Sequence, residues 1–166
     1  MTSYAEYLNS NDFRCFADET LREAACGAVA AYLDAMKNQK VADPHQLYTL
    51  KGVAAGTGLG GLRKLAREQK ERNTSKTNKE FWIFFAERIG TESPGKEAFP
   101  NLVREELQKR GLLSDETVGE KPEKRAARRA NRGRIDGALE RALSALVEHF
   151  VSEYAYQVAK RKGVNR

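Results

Sequence analysis

The chain has 166 residues, 40% apolar and 31% charged, which suits one domain or two small helical lobes with a buried core. Its 29 basic and 23 acidic side chains leave a net charge of +6 and favour an anionic partner. No apolar run approaches the roughly 20 residues that span a bilayer, and Met1-Thr2-Ser3-Tyr4 opens without a secretory signal, so a cytoplasmic protein with no membrane partner is expected.

Nine Val and three Ile stand against an abundance of Ala, Leu, Glu, Lys and Arg. The sequence therefore predicts an all-α fold, either one helical bundle or two small helical lobes joined near residues 112–119. A short helix over 3–8 carries Tyr4, Tyr7 and Leu8. Asn11 and Asp12 start the next, in which Leu21, Ala25, Val29, Tyr32 and Met36 form one apolar stripe. Pro44 begins a helix with Leu47, Leu50 and Val53; Gly56–Gly61 interrupts it, and a charged helix resumes over 62–72. A polar loop over 73–78 caps a helix carrying Phe81, Trp82, Phe84, Phe85 and Ile89, which Gly90 stops. After a loop over 91–95, a helix from Pro100 to Arg110 ends with Gly111 at C′.

The organisation that follows is an N-terminal helical bundle over 1–111, a linker over 112–120, and a basic segment plus long helix over 121–166. That helix packs back on the bundle through Ile135, Leu139, Ala142, Leu143, Leu146, Phe150, Tyr154 and Val158. Aromatics at helical spacing are more often core than base-stacking residues; Phe81, Phe84 and Phe85 can share a face with Arg88, which leaves Trp82 as the one aromatic to test for an exposed role. Tyr156 likewise stands off the face that holds Tyr154. Cys15 and Cys26 read as reduced residues in or beside apolar faces. With His45 and His149 far apart and no Cys-x-x-Cys, no metal site can be assembled.

The positive charge is concentrated. Lys121 to Arg134, KPEKRAARRANRGR, holds seven basic residues and one acid, a local +6, while the other 22 basic and 22 acidic residues cancel. Written as a helix, Lys121, Arg125, Arg128 or Arg129, and Arg132 fall along one stripe at spacings of three and four, with Ala126, Ala127 and Ala130 adding propensity and little bulk. Such a stripe neutralises backbone phosphates with release of counterions, reads no sequence, and offers no aromatic for stacking. Lys121, Lys124, Arg125, Arg128, Arg129, Arg132 and Arg134 are the primary candidates for binding an RNA or DNA backbone. The bland alternative is a solvated linker that happens to be charged.

Gly56, Gly58 and Gly61 satisfy G-x-G-x-x-G ahead of a helix. A dinucleotide site needs a strand before that turn and another about twenty residues later, whereas both flanks here read as helix. Two other readings stay open. The glycines allow a flexible connection or close helix packing, or their amides join Arg63, Lys64 and Arg67 in a second phosphate-contacting edge, diluted by Glu68 and Glu71. No nucleophile motif is present, and the pairs Glu105–Glu106 and Asp115–Glu116 lie on polar segments, so a non-enzyme without cofactor is expected.

The stretches LYTLKGVAAGTGLGGLRKLAREQKERN and KEFWIFFAERI, with the closing ALERALSALVEHFVSEYAYQVAKRKG, resemble the small all-helical subunits of CRISPR interference complexes. The resemblance lies in role and body plan. It implies several self-associating copies stacked along a guide RNA–target duplex beside other subunits of a ribonucleoprotein complex, with basic residues on the target or displaced strand. The Arg and Lys assignments above rest on the charge pattern alone. Two other classes stay open: a stand-alone helical nucleoprotein or regulator that coats DNA or RNA, and a helical interaction module whose basic segment binds an acidic protein.

Overall fold

The first two helices begin where the sequence supplies a cap. In the computed structural model, which describes residues 1–37, 39–72, 75–91 and 95–164, Ser3 and Glu6 form a capping box that starts α1 (Tyr4–Leu8), and the Ser10 hydroxyl accepts from Phe13 N to start α2 (Asn11–Cys15). A π-helical turn, Phe16–Leu21, carries α2 without a break into α3 (Arg22–Met36). Then follow α4 (Pro44–Arg72), α5 (Lys76–Ile89), α6 (Phe99–Lys109) and α7 (Lys121–Val164). The fold is an all-α helical bundle, with no strand among the described residues.

The expected interruption over Gly56–Gly61 is corrected to a single residue. α4 continues through the segment except at Gly58, whose φ of 67° and ψ of −156° belong to a region that only glycine occupies readily. A break of this kind orphans an amide. Here Leu59 N donates to Glu140 Oε2 of α7 at 2.6 Å, and a Cβ on Gly58 would run into the same carboxylate.

Gly111 closes α6 as expected: Leu112 N bonds to Leu107 O at 2.9 Å, Gly111 N bonds to Gln108 O at 3.0 Å, and Leu112 is buried.

One apolar cluster reaches from Tyr7 of α1 to Val158 of α7, so residues 1–111 and α7 share a core. Its aromatic centre comprises Tyr32, Phe81, Phe85, Phe150 and Tyr154, with neighbouring ring centroids 5.5 to 6.1 Å apart. The Tyr154 hydroxyl donates to Ala42 O at 2.6 Å, and burial pushes its pKa well above the ordinary tyrosine value. Trp82, the aromatic to test for an exposed role, is a core residue. It is 3% exposed and packs edge-on against Phe81 and Phe85, because α5 buries two adjacent faces. Tyr156 is 60% exposed, as its register predicts. Both cysteines are free thiols, but Cys15 is exposed and not in a core, and Cys26 is half-buried. Among the described residues, no helix is long and apolar enough to cross a membrane.

Candidate nucleic-acid interface

The basic segment is the first third of α7, a 44-residue helix about 66 Å long. From Ile135 onward this helix lies on the bundle, burying Ile135, Leu139, Leu143, Leu146, Phe150 and Tyr154. Before Asn131 it overhangs. Residues 121–130 are exposed except for the half-buried Lys124 and Ala127, so about 15 Å of helix stands clear of the core. The ladder Arg125, Arg128, Arg132, Ile135, Leu139 steps by three and four, so the basic stripe prolongs the apolar seam. Cations replace hydrophobes where the bundle ends.

The foot of the overhang is clamped. Asn131, 1% exposed, is the buried polar side chain of the described residues. Its Oδ1 accepts from Ser114 N at 2.8 Å, and its Nδ2 donates to Ser114 O at 2.8 Å and Glu116 Oε1 at 3.0 Å. Glu116 in turn takes a bond from Arg104 Nη1 of α6 at 3.2 Å. The Asn131 hydrogen bond, with help from Arg104, holds the Glu116 carboxyl below its ordinary pKa. Residues 112–119 are thus bound to α7 and to α6.

Arg134 belongs to the same foot. Its guanidinium donates to Leu112 O and lies 5.5 Å from the Tyr4 ring, while the Tyr4 hydroxyl donates to Arg134 O at 2.7 Å. Arg134 therefore anchors the segment that precedes α7.

Above the foot the pattern changes. Among the described residues, the side chains of Lys121, Lys124, Arg125, Arg129 and Arg132 make no ion pair or hydrogen bond, and Arg128 has only a distant attraction to Glu116. Elsewhere most of the described arginines are engaged, among them Arg63 with Asp136 at 3.1 Å, Arg88 with Glu97 at 3.1 Å, Arg104 with Glu116 at 3.2 Å and Arg110 with Asp12 at 3.2 Å, while many lysines stand free on the surface. Two of the unpaired cations, Lys121 and Lys124, also stand in the first turn, at the positive end of the helix dipole, where Glu123 is the acidic residue. That placement costs stability in the free protein and is relieved by an anion.

The second predicted edge is divided by the structure. Arg63 is turned into the α4–α7 contact, donating to Asp136 and, through Nε, to Ile89 O at 3.3 Å. Lys64 and Arg67 stand on the exposed face of α4. The Leu59 amide, which a pyrophosphate would use, is already occupied by Glu140. Gly58 is therefore placed as a packing device.

The acidic pairs weighed for acid–base work hold structure together. Glu106 accepts from Tyr7 at 2.9 Å and from Arg110, and Asp115 accepts from Thr117 N at 2.8 Å. Sequence reasoning missed the clamp of Asn131 and Arg104. Its signal was present: Asn131 lies four before Ile135, on the apolar register, where a polar residue must find buried partners.

A larger cavity of about 620 Å³ opens at the far end of α7, lined by Lys40, Asp43, Arg161 and Lys162 among others. There Arg161 is engaged with the Leu33 and Gln39 carbonyls. In comparisons with known proteins, no family model, curated protein or solved structure matches the chain.

Proposed function

We propose that this protein is a non-catalytic subunit that holds a nucleic-acid backbone, RNA or DNA, through the overhanging start of α7. The observation that carries the reading is the unpaired row Lys121, Lys124, Arg125, Arg129 and Arg132 on exposed helix, in a molecule that engages most of its other guanidinium groups. Cations left unpaired along an exposed helix are matched by phosphates, whose neutralisation releases counterions. The stripe has no aromatic and no base-reading geometry, so binding is indifferent to sequence. An all-helical body with one basic projection suits a component of a larger ribonucleoprotein assembly. The resemblance to the small subunits of CRISPR interference complexes gives that assembly its form, with several copies following one duplex.

The test is affinity for unrelated oligonucleotides as a function of salt. Single Arg125→Ala, Arg128→Ala, Arg129→Ala and Arg132→Ala substitutions each weaken binding equally across sequences and reduce the log–log salt slope by about one. A parent protein whose binding does not respond to salt would overturn the reading.

A further inference from the structure

The lowest rung of the stripe is also the wall of a recess. Arg132 of α7, Arg104 of α6 and Arg63 of α4 line one cavity of about 380 Å³, whose other walls include Gly90, Pro100 and Asp136. Three arginines from three helices line a shared space, and two of them are paired, Arg63 with Asp136 and Arg104 with Glu116, which leaves a net charge of +1. The third cation, Arg132, has no counter-charge among the described residues, and an anion in the recess would supply one.

The three are not equivalent. Arg63 is fixed by Asp136 and the Ile89 carbonyl, and Arg104 by Glu116, itself held by Asn131. Each keeps N–H donors beyond those bonds, because a guanidinium has five. Arg132 is uncommitted. Two preset forks and one free one lose little conformational entropy on closing around a tetrahedral anion, and arginine forks suit phosphate oxygens.

The number of donors chooses among phosphates. An internal phosphodiester offers two non-bridging oxygens and continues in both directions, whereas a terminal monoester offers three and continues in one, so three guanidinium forks from three helices match the terminal group. The cavity lies near the low end of the roughly 300–1,000 Å³ typical of ligand sites, room for a strand end. We propose that this cavity seats the terminal phosphate monoester of a nucleic-acid strand whose next phosphates climb Arg128, Arg125 and Lys121. The strand's path rests on the function proposed above; recognition of a phosphate dianion by the three arginines does not.

Two measurements on the full chain test this. The first is a titration with inorganic phosphate followed by the arginine Nε–Hε NMR signals: those of Arg63, Arg104 and Arg132 move together and saturably, ahead of Arg125 and Arg129. The second compares one oligonucleotide sequence bearing a 5′-phosphate, a 3′-phosphate, or hydroxyls at both ends. A phosphorylated end raises affinity about tenfold in the parent. Arg104→Gln, off the stripe, removes that preference and leaves the hydroxyl-ended oligonucleotide bound as before. Because Arg104→Gln also loosens Glu116, Glu116→Gln is the control, since it loosens the same contact, spares all three arginines and retains the preference. Equal affinity for all three ends, or full preference in Arg104→Gln, overturns the seat while leaving the backbone-binding reading intact. Failure of every oligonucleotide to bind overturns the strand reading and the seat's occupant together. Movement of the stripe arginines without the cavity arginines shows an adventitious ion only, and also overturns the seat.

Discussion

The two parts of α7 obey opposite rules on one continuous backbone. After Arg132, nearly every turn contributes a buried apolar residue, and its charges are largely tied to the bundle: Asp136 to Arg63, Glu140 to the Leu59 amide, Arg141 to Asn9, Glu148 to Lys51, Arg161 to the Leu33 and Gln39 carbonyls. Before Asn131, the side chains touch little and the cations are unpaired. Packing holds the first part in place. The second is helical because Ala, Arg and Lys favour helix and because the packed part supplies its nucleus. The comparison separates stability from function along a single element, since what holds the fold together stops where the charge begins.

The largest expected effects break that comparison at both ends. Reversing Arg125, Arg128, Arg129 and Arg132 to Glu abolishes nucleic-acid binding and leaves the melting temperature close to the parent's, because these side chains are exposed and make no ion pair or hydrogen bond in the folded protein. Phe150→Ala acts in the other direction. It empties a site among Phe81, Phe85 and Tyr154 and costs about 3–5 kcal/mol by chemical denaturation, since Phe150 is almost wholly buried. Were the quadruple reversal to destabilise the protein as Phe150→Ala does, the overhang would be packed and the proposed separation false.

The sequence made the packed part easy to read and the foot of the overhang hard. Apolar residues at three-and-four spacing determine a buried face by geometry alone, so Ile135 to Val158 could be placed in advance. Gly58 and Trp82 could not. Whether a glycine-rich stretch breaks a helix depends on whether something distant caps the orphaned amide, and Glu140 lies 81 positions from Leu59. Whether a tryptophan on a helix flank is buried depends on how many neighbours the helix has, which one helix's periodicity does not encode. The basic stripe was legible because charge is counted. That Arg63 and Arg134 would be drawn into contacts with Asp136 and Leu112 was not, since a cation's role depends on which acid or carbonyl the fold brings beside it.

A smaller effect sharpens the comparison where α4 crosses α7. Gly58→Ala forces an L residue into a glycine region and drives its Cβ against the Glu140 carboxylate, for a loss of about 1–3 kcal/mol by denaturant titration. Lys64→Ala, on the exposed face of α4, leaves stability within about 0.5 kcal/mol. If Gly58→Ala melts as the parent does, the α4 break is not a fixed feature of the crossing. The packed part of α7 would then be less rigidly placed than the Leu59–Glu140 bond implies.

The smallest effect lies at the boundary between the two parts and depends on pH. Glu116 has its pKa below the ordinary 4.5, first because Asn131 donates to it and then because Arg104 does. A carboxyl that is more acidic in the folded protein stabilises it fully above that ordinary value and loses its contribution as pH falls through the lower, folded one. The group is half-buried and still reached by solvent, so the change in global stability is slight and the local change is the better readout. The Asn131 side-chain amide signals should shift in a single step below pH 4.5 as residues 112–119 loosen from the helix. Asp115, also acid-shifted by its bonds from Thr117, titrates in the same segment. Asp115→Asn should leave the step at Asn131 in place and Glu116→Gln should remove it. A step that survives Glu116→Gln would mean that Ser114 alone secures Asn131, and that the foot of the overhang is closed without Arg104.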